Sequence, residues 1–317
     1  MVDFLSSRDL ARRTAAAVDA AVGAGRELGL TVTDATVLHD LFSVVVHLAP
    51  TPVVARVPTV RPRREDLTQR ARAQQRELDV AQWLADRGTP VIPPSPLTPR
   101  EPVRRDGFAM TFWQFVEPDR TTEPDYVANT EVVPELHAAL RDYPGPLDFL
   151  GAAEPHLVDD HLDLLATRPD LLDPADLDRA RREWRALAPL VRSRAAFEHA
   201  FPGIDLQPIH GDSPPANLFH AADGHRHTDF ELVCLGPVEW DVATLGPDFA
   251  AAYDRGARRC GRRPLDEKVK TFVDAVGRLR AITSLALAPQ LPVLTEYLTP
   301  AVEHWRETPF AGGVVTP

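Results

Sequence analysis

Cysteine is nearly absent. Among 317 residues only Cys234 and Cys260 occur, far apart and in no metal-ligand spacing, so the chain has no disulfide framework and no cysteine-based metal motif. Each reads as a small buried hydrophobe rather than a reactive thiol. Long apolar runs are missing too: no stretch approaches the roughly 20 residues of a membrane-spanning helix. The opening Met1-Val2-Asp3-Phe4, leading to Arg8, Arg12 and Arg13, lacks the continuous apolar segment of a secretory signal. Positive charge is also in short supply. The formal net charge is −11, and no run of Lys and Arg is interleaved with aromatics, which argues against a nucleic-acid surface. These absences predict a cytoplasmic protein with no nucleic-acid and no membrane partner; they leave the oligomeric state open.

What is present is globular texture. Apolar residues make up 44% and charged residues 26% of a length that suggests about two lobes. Residues 8–29 are rich in Ala and Arg and read as a helix stopped by Gly29. The texture turns to β from Val37. The runs Leu41 to Leu48 and Val53 to Val57, either side of Pro50-Thr51-Pro52, predict two antiparallel strands. After a basic loop, Arg61 to Arg64, a helix is expected up to Gly88, with Leu67, Ala71, Leu78, Ala81 and Leu84 on one face. The proline-rich piece Pro90 to Pro102 predicts an extended connector, and Gly107 to Val116 a strand ending at Glu117-Pro118. Beyond it, helical periodicity covers 124–141, 156–167, 174–199, 264–286 and 293–307, with short strands and loops in 206–235. The expected fold is α+β: a small β-rich N-terminal lobe with one key helix, residues 1–116, and a larger, mostly helical C-terminal lobe, residues 117–317.

The irregular segment holds the chemistry. Residues 210–217 read His-Gly-Asp-Ser-Pro-Pro-Ala-Asn, and Asp229-Phe230-Glu231 follows Asn217. Phosphoryl transfer needs a carboxylate that orients the attacking hydroxyl and accepts its proton, and oxygen ligands that hold a divalent ion against the phosphates. Kinases place the base Asp and a metal-binding Asn five residues apart on one loop, with a second metal Asp on a nearby loop. Asp212, Asn217 and Asp229 keep that order, which predicts Asp212 as the base and Asn217 and Asp229 as ligands of Mg2+, a cation that prefers hard oxygen donors. Taken singly, His-Gly-Asp is an ordinary turn and Asp229 an ordinary hairpin carboxylate; the ordered combination is what points to a kinase site.

These motifs resemble the aminoglycoside phosphotransferase and choline kinase superfamily, whose catalytic loop carries His-Gly-Asp, here His210-Gly211-Asp212. The family continues after the metal Asp with a Gly-Pro and a Trp-Asp pair, matched by Gly236-Pro237-Val238-Glu239-Trp240-Asp241. The resemblance covers about residues 30–250. It implies a bilobal protein-kinase-like fold, use of ATP and magnesium, and a small-molecule hydroxyl as acceptor. It also implies that Asp241, with His210, supports the catalytic loop rather than touching substrate. Arg56 in Val-Ala-Arg-Val stands where the family has a phosphate-binding lysine. Glu77, on a helical face with Val80, Ala81 and Leu84, would need a partner if buried, and Arg56 is the expected one. Arginine for lysine is a departure, since a planar fork grips differently from an ammonium. The glycine-rich loop is missing as well: Asp40-Leu41-Phe42-Ser43 stands in its place, with Ser43 as the candidate phosphate contact. Main-chain groups near Gln114 and Val116 are expected to bind adenine.

Three other readings compete. His210, His220, His225 and His227 could serve a transition-metal hydrolase, but Asp223-Gly224 is a turn signal that predicts His225 and His227 on an exposed hairpin. Asp159, Asp160, His161 and Asp163 could line an acceptor pocket; the blander expectation is the wet face of an amphipathic helix. A nucleotide-binding pseudokinase without turnover is favoured by Arg56 and the absent glycine loop and opposed by Asp212, Asn217 and Asp229 together.

Overall fold

The computed structural model describes residues 4–61, 67–119, 121 and 123–315; the expected basic loop lies outside them from position 62 on. The chain divides into two compact units: Met1–Glu123 with Leu218–Glu231 and Pro289–Leu291, and Pro124–Asn217 with Leu232–Ala288 and Pro292–Pro317. The fold is α+β, as expected.

In the first unit α1 (Ser7–Glu27) starts at a capping box in which Ser6 and Asp9 satisfy each other's backbone N–H groups. It stops just before Gly29, whose φ of +88° is the left-handed turn-off that glycine adopts without strain. Ala17, Ala20, Ala21 and Ala24 form its fully buried stripe. Their small side chains let the helix lie close on the apolar face of a five-stranded antiparallel sheet made by Val44, Val46, Leu48, Val53, Ala55, Val57, Met110 and Phe112.

The sheet holds β1 (Val32–Asp40), β2 (Ser43–Pro50), β3 (Val53–Pro58), β4 (Val103–Arg105) and β5 (Phe108–Gln114), in the order β1-β2-β3-β5-β4. β1 starts earlier than the texture suggested. As an edge strand it is exposed along most of its length, so it lacks the apolar alternation that marks a half-buried strand. β4 is missed by the pattern for the same reason, although Asp106-Gly107, with φ of 49° and 79°, is the Asp-Gly turn that joins it to β5. β3 is central and buried on both faces: Val53, Ala55 and Val57 meet the α1 side, while Val54 and Arg56 point the other way. On that second side α2 (Leu67–Ala85) presents Glu77, itself buried.

The second unit is mostly helical: α3 (Tyr126–Thr130), α4 (Val133–Leu140), α5 (Pro155–Leu165), α6 (Pro174–Arg192) and α7 (Arg194–Ala200) precede the strand β6 (Gln207–Ile209). The expected helix 124–141 is two, because Pro134 opens a new first turn after Glu131. Likewise 174–199 breaks at Ser193, whose extended backbone and side chain cap α7 by accepting from the Ala196 N–H.

After β6 the chain contributes the hairpin β7 (Leu218–Ala221) and β8 (Gly224–His227) to the first unit. There His227 N–H donates to Pro90 O at 2.8 Å and Asp119 N–H to His220 O at 2.9 Å. The chain then returns as β9 (Cys234–Gly236), α8 (Pro247–Arg259), α9 (Glu267–Thr283) and α10 (Val293–Glu307). β6 and β9 pair antiparallel, Gln207 opposite Gly236 and Ile209 opposite Cys234. That two-strand platform holds the loop 210–217 beside the turn Pro237–Asp241. Among the described residues no helix is long and apolar enough to cross a membrane.

Candidate active site

Within the second unit the loop 210–217 is fixed by its own backbone. Asp241, fully buried, accepts the His210 N–H on Oδ2 at 2.8 Å and the Gly211 N–H on Oδ1 at 2.7 Å. Trp240 Nε1 donates to Gly211 O at 2.9 Å, so Gly211 is held at both its N–H and its carbonyl. Gly211 has no substitute here. Its φ is +89°, and a Cβ at that position would lie 2.1 Å from the carbonyl oxygen of Leu232. His210 is buried and its Nδ1 accepts from the Asp212 N–H at 3.3 Å. The loop is closed by Asn217, whose Nδ2 donates to Asp212 O at 2.6 Å. Of the two amide atoms of Asn217, Oδ1 is the one with the chemistry to ligate a hard cation. The Asp212 side chain starts from this rigid turn and is half-buried.

Asp241 is itself braced from behind. His137 on α4 places Nε2 2.8 Å from Asp241 Oδ2 and Nδ1 2.9 Å from the Tyr253 hydroxyl on α8. A ring that donates from Nε2 accepts at Nδ1. Burial, Glu239 and Asp241 hold the Tyr253 phenol well above its ordinary range, so it stays a donor. This line of bonds ends on the main chain of the loop 210–217.

In the first unit the opposite design prevails. Arg56 donates from Nη1 to Glu77 Oε1 and Oε2 at 3.3 and 3.1 Å and from Nη2 to Glu231 Oε2 at 2.6 Å. The same Nη2 is 3.1 Å from Asp229 Oδ1. Burial pushes the Glu77 carboxyl up; Arg56 pulls it down and Asp229 and Glu231 push it up again, with a net upward direction. Arg56 draws the Glu231 carboxyl down. Asp229 stands in the left-handed region at φ 62°, a conformation rare outside glycine, tolerated by Asp, and common where a side chain is aimed for function.

A family model described as the phosphotransferase enzyme family matches residues 42–269. The chain belongs to that family. A search of curated proteins finds no match. Among solved structures, an amicoumacin kinase in complex with AMP-PNP, Ca2+ and Ami is similar at 15% identity, with a TM-score of 0.60, over 98% of this chain and 100% of the other. A choline/ethanolamine kinase family protein from Mesorhizobium loti is similar at 18% identity and TM-score 0.57, over 92% and 97%. An aminoglycoside phosphotransferase from Streptomyces rimosus, with ADP and streptomycin bound, is similar at 18% identity and TM-score 0.54, over 82% and 97%. At these identities the likeness is one of fold.

Other residues singled out in this phosphotransferase lie as follows. Ser43 opens β2 next to the tight Leu41-Phe42 turn and is buried. Gln114 ends β5, and its N–H is taken by Pro93 O at 3.0 Å; Val116 follows two residues on. The hairpin histidines differ from expectation. His227 is buried rather than exposed, because β8 pairs sideways with the connector, where Ile92 N–H donates to His227 O at 3.1 Å. Among the described residues no group of three or more His, Cys, Asp or Glu side chains could hold a metal ion. On α5, Asp163 is exposed as expected of a wet face, and Asp159 accepts from Trp184 Nε1 at 2.8 Å. His161 is the exception, 4% exposed with no hydrogen-bond partner for Nε2 among the described residues. Burial lowers its pKa to about 4.

Two residues of the phosphotransferase escaped the sequence reading. Glu231 sits in the quoted Asp-Phe-Glu, yet a carboxylate two positions from Asp229 carries no sign of its partner. His137 left a faint signal: it falls on the apolar stripe Val133, Leu136, Leu140 of α4, where a polar residue must find a buried bond.

Proposed function

We propose that the protein is a cytoplasmic enzyme that transfers the γ-phosphate of ATP to a hydroxyl of a small molecule, with Asp212 as the base. The observation that carries this reading is the loop closure. Asp241 and Trp240 immobilise the 210–211 peptides, and Asn217 closes on Asp212 O, so a carboxylate and an amide oxygen are presented from one rigid turn. Preorganised groups of this kind cost no rearrangement when charge shifts in the transition state.

Asp212 Oδ would orient the acceptor hydroxyl and take its proton as the oxygen attacks phosphorus. Asn217 Oδ1 and the Asp229 carboxylate are hard oxygen donors that fit Mg2+, two protein ligands being enough when phosphate oxygens and water supply the rest. The metal would neutralise charge on the phosphates. Arg56, steadied by Glu77, would hold phosphate oxygens in its fork. Ser43 at the β1–β2 turn and the main chain at Gln114 and Val116 would complete the nucleotide contacts, which gives residues 1–116 the nucleotide-binding role and 117–317 the catalytic and acceptor-binding role.

One observation favours a second reading, a nucleotide-binding protein without turnover: Arg56 already has three carboxylates around it. A single variant separates the two. Asp212→Asn is expected to lower acceptor-dependent ADP formation at least about a hundredfold while nucleotide affinity stays within about twofold. Undiminished turnover removes the base, and no turnover in the wild type with any acceptor favours the second reading. The acceptor panel begins with choline, ethanolamine, amicoumacin and streptomycin, the molecules named with the similar structures, and extends to other hydroxylated metabolites.

A further inference from the structure

Arginine at position 56 looks like a conservative exchange for an ammonium until its second arm is followed. Nη1 serves Glu77; Nη2 serves Glu231 at 2.6 Å, the shortest contact Arg56 makes. A lysine carries one compact charge and cannot give each carboxylate its own nitrogen, whereas a planar fork can. Glu231 is held on its other side as well: its main-chain oxygen accepts from Arg76 Nη2 at 3.2 Å. The arm of Arg56 that would meet a phosphate is thus occupied by a side chain of the protein itself.

A second observation bears on where Glu231 could go. Arg76 Nε is buried and has no hydrogen-bond partner among the described residues. A buried donor left so is costly, and it lies on the residue that already holds the Glu231 backbone. Arg76 and Arg70 both help to draw the Glu231 carboxyl down, after the larger effect of Arg56. A carboxylate leaving Arg56 has a cationic place to turn to without crossing to bulk water.

We propose that Glu231 is a resident competitor for the phosphate-gripping arm of Arg56, an internal carboxylate that occupies Nη2 until a metal-bound nucleoside triphosphate displaces it toward Arg76. The inference rests on the nucleotide-binding reading above and adds a determinant of affinity to it. Three carboxylates stand close to one guanidinium where, on that reading, a triphosphate enters. Bare nucleotide is repelled there; nucleotide with a divalent cation brings the compensating charge with it. Glu231 therefore makes binding depend on the metal more steeply than Asp229 alone would.

The test is equilibrium binding of ATP, by calorimetry, with Mg2+ and with EDTA, to wild type, Glu231→Gln, Arg56→Lys and the double variant. Gln keeps the size of Glu and gives up its charge, so the charge-assisted bond to Nη2 weakens. Glu231→Gln is expected to tighten Mg2+·ATP binding about fivefold, and binding in EDTA by more, the size expected for one such bond. In the Arg56→Lys background the same change is expected to do less than about twofold, because the arm it unblocks is gone. Glu231→Asp, which keeps the charge but is shorter, should tighten binding less than Gln and guards against a misfolded Gln variant. Weakened or unchanged binding in both Glu231 variants, with wild type binding normally, overturns the competitor and leaves the nucleotide reading intact. No ATP binding to any of the proteins overturns both.

Discussion

Around Arg56 charged side chains face one another across the β3–α2 contact, whereas around Asp212 the chain is held by main-chain amides that donate into one buried carboxylate. The first arrangement is exchangeable. Its bonds run between ions, and a phosphate can replace a carboxylate on a guanidinium because both offer the same paired oxygens. The second has no such competitor. The N–H groups of His210 and Gly211 lie in buried backbone, and both donate to the one carboxylate of Asp241. A transferase needs both behaviours: anchoring groups that let nucleotide come and go, and a reacting group that stays still.

The comparison can be broken at its rigid end first. Gly211→Ala is expected to abolish at least about a hundredfold of the turnover and to cost about 2–4 kcal/mol of stability in urea. It forces an alanine to φ +89° with Cβ 2.1 Å from Leu232 O. Near-normal turnover in that variant would show that the loop can move after all. These losses should not change with ionic strength, since no exposed charge is involved.

At the exchangeable end, Arg56→Ala is expected to weaken ATP binding about tenfold or more and Arg56→Lys by less, with both effects shrinking at high salt because partly exposed ion pairs are screened. Equal affinity for all three proteins would show that this side chain does not meet the phosphates. Arg56→Ala also leaves Glu77 buried without its cation, so its melting temperature should fall further than that of the lysine variant.

A further effect lies outside both clusters. Buried His161, with its pKa lowered to about 4 against an unfolded value near 6.5, stays uncharged in the folded chain while the unfolded chain binds a proton. Its contribution is complete above pH 6.5 and is lost as pH falls toward 4, by about 2 kcal/mol at pH 5. His161→Leu should flatten the urea-stability profile between pH 7 and pH 5 by that amount. An unchanged slope would show that His161 does not set the acid sensitivity in that window.

Legibility followed burial and spacing. α1, the central strands β2, β3 and β5 and the inward face of α2 carry strong apolar periods, so their places could be read. The edges β1 and β4 could not, because an exposed edge strand has no apolar face to announce it. In the helical unit the stretches were visible but their breaks were not, since Pro134 and Ser193 act through a first turn and a cap that a periodicity count averages away. Of the candidate site, short local spacing delivered Asp212, Asn217 and Asp229. It said nothing of His137, which meets Asp241 across 104 positions, or of Glu231, which meets Arg56 across 175.

The sequence by itself determined the residue types of the chemistry, their order, and the family to which they belong, because a catalytic loop is a local object whose spacing survives in the linear text. Only the tertiary structure decided who holds whom: that Gly211 is wedged against Leu232, that His137 and Tyr253 stand behind Asp241, and that the second arm of Arg56 rests on Glu231. Those choices depend on which elements pack together, and a buried polar group takes whatever partner the packing brings within 3 Å or so, however far away it lies along the chain.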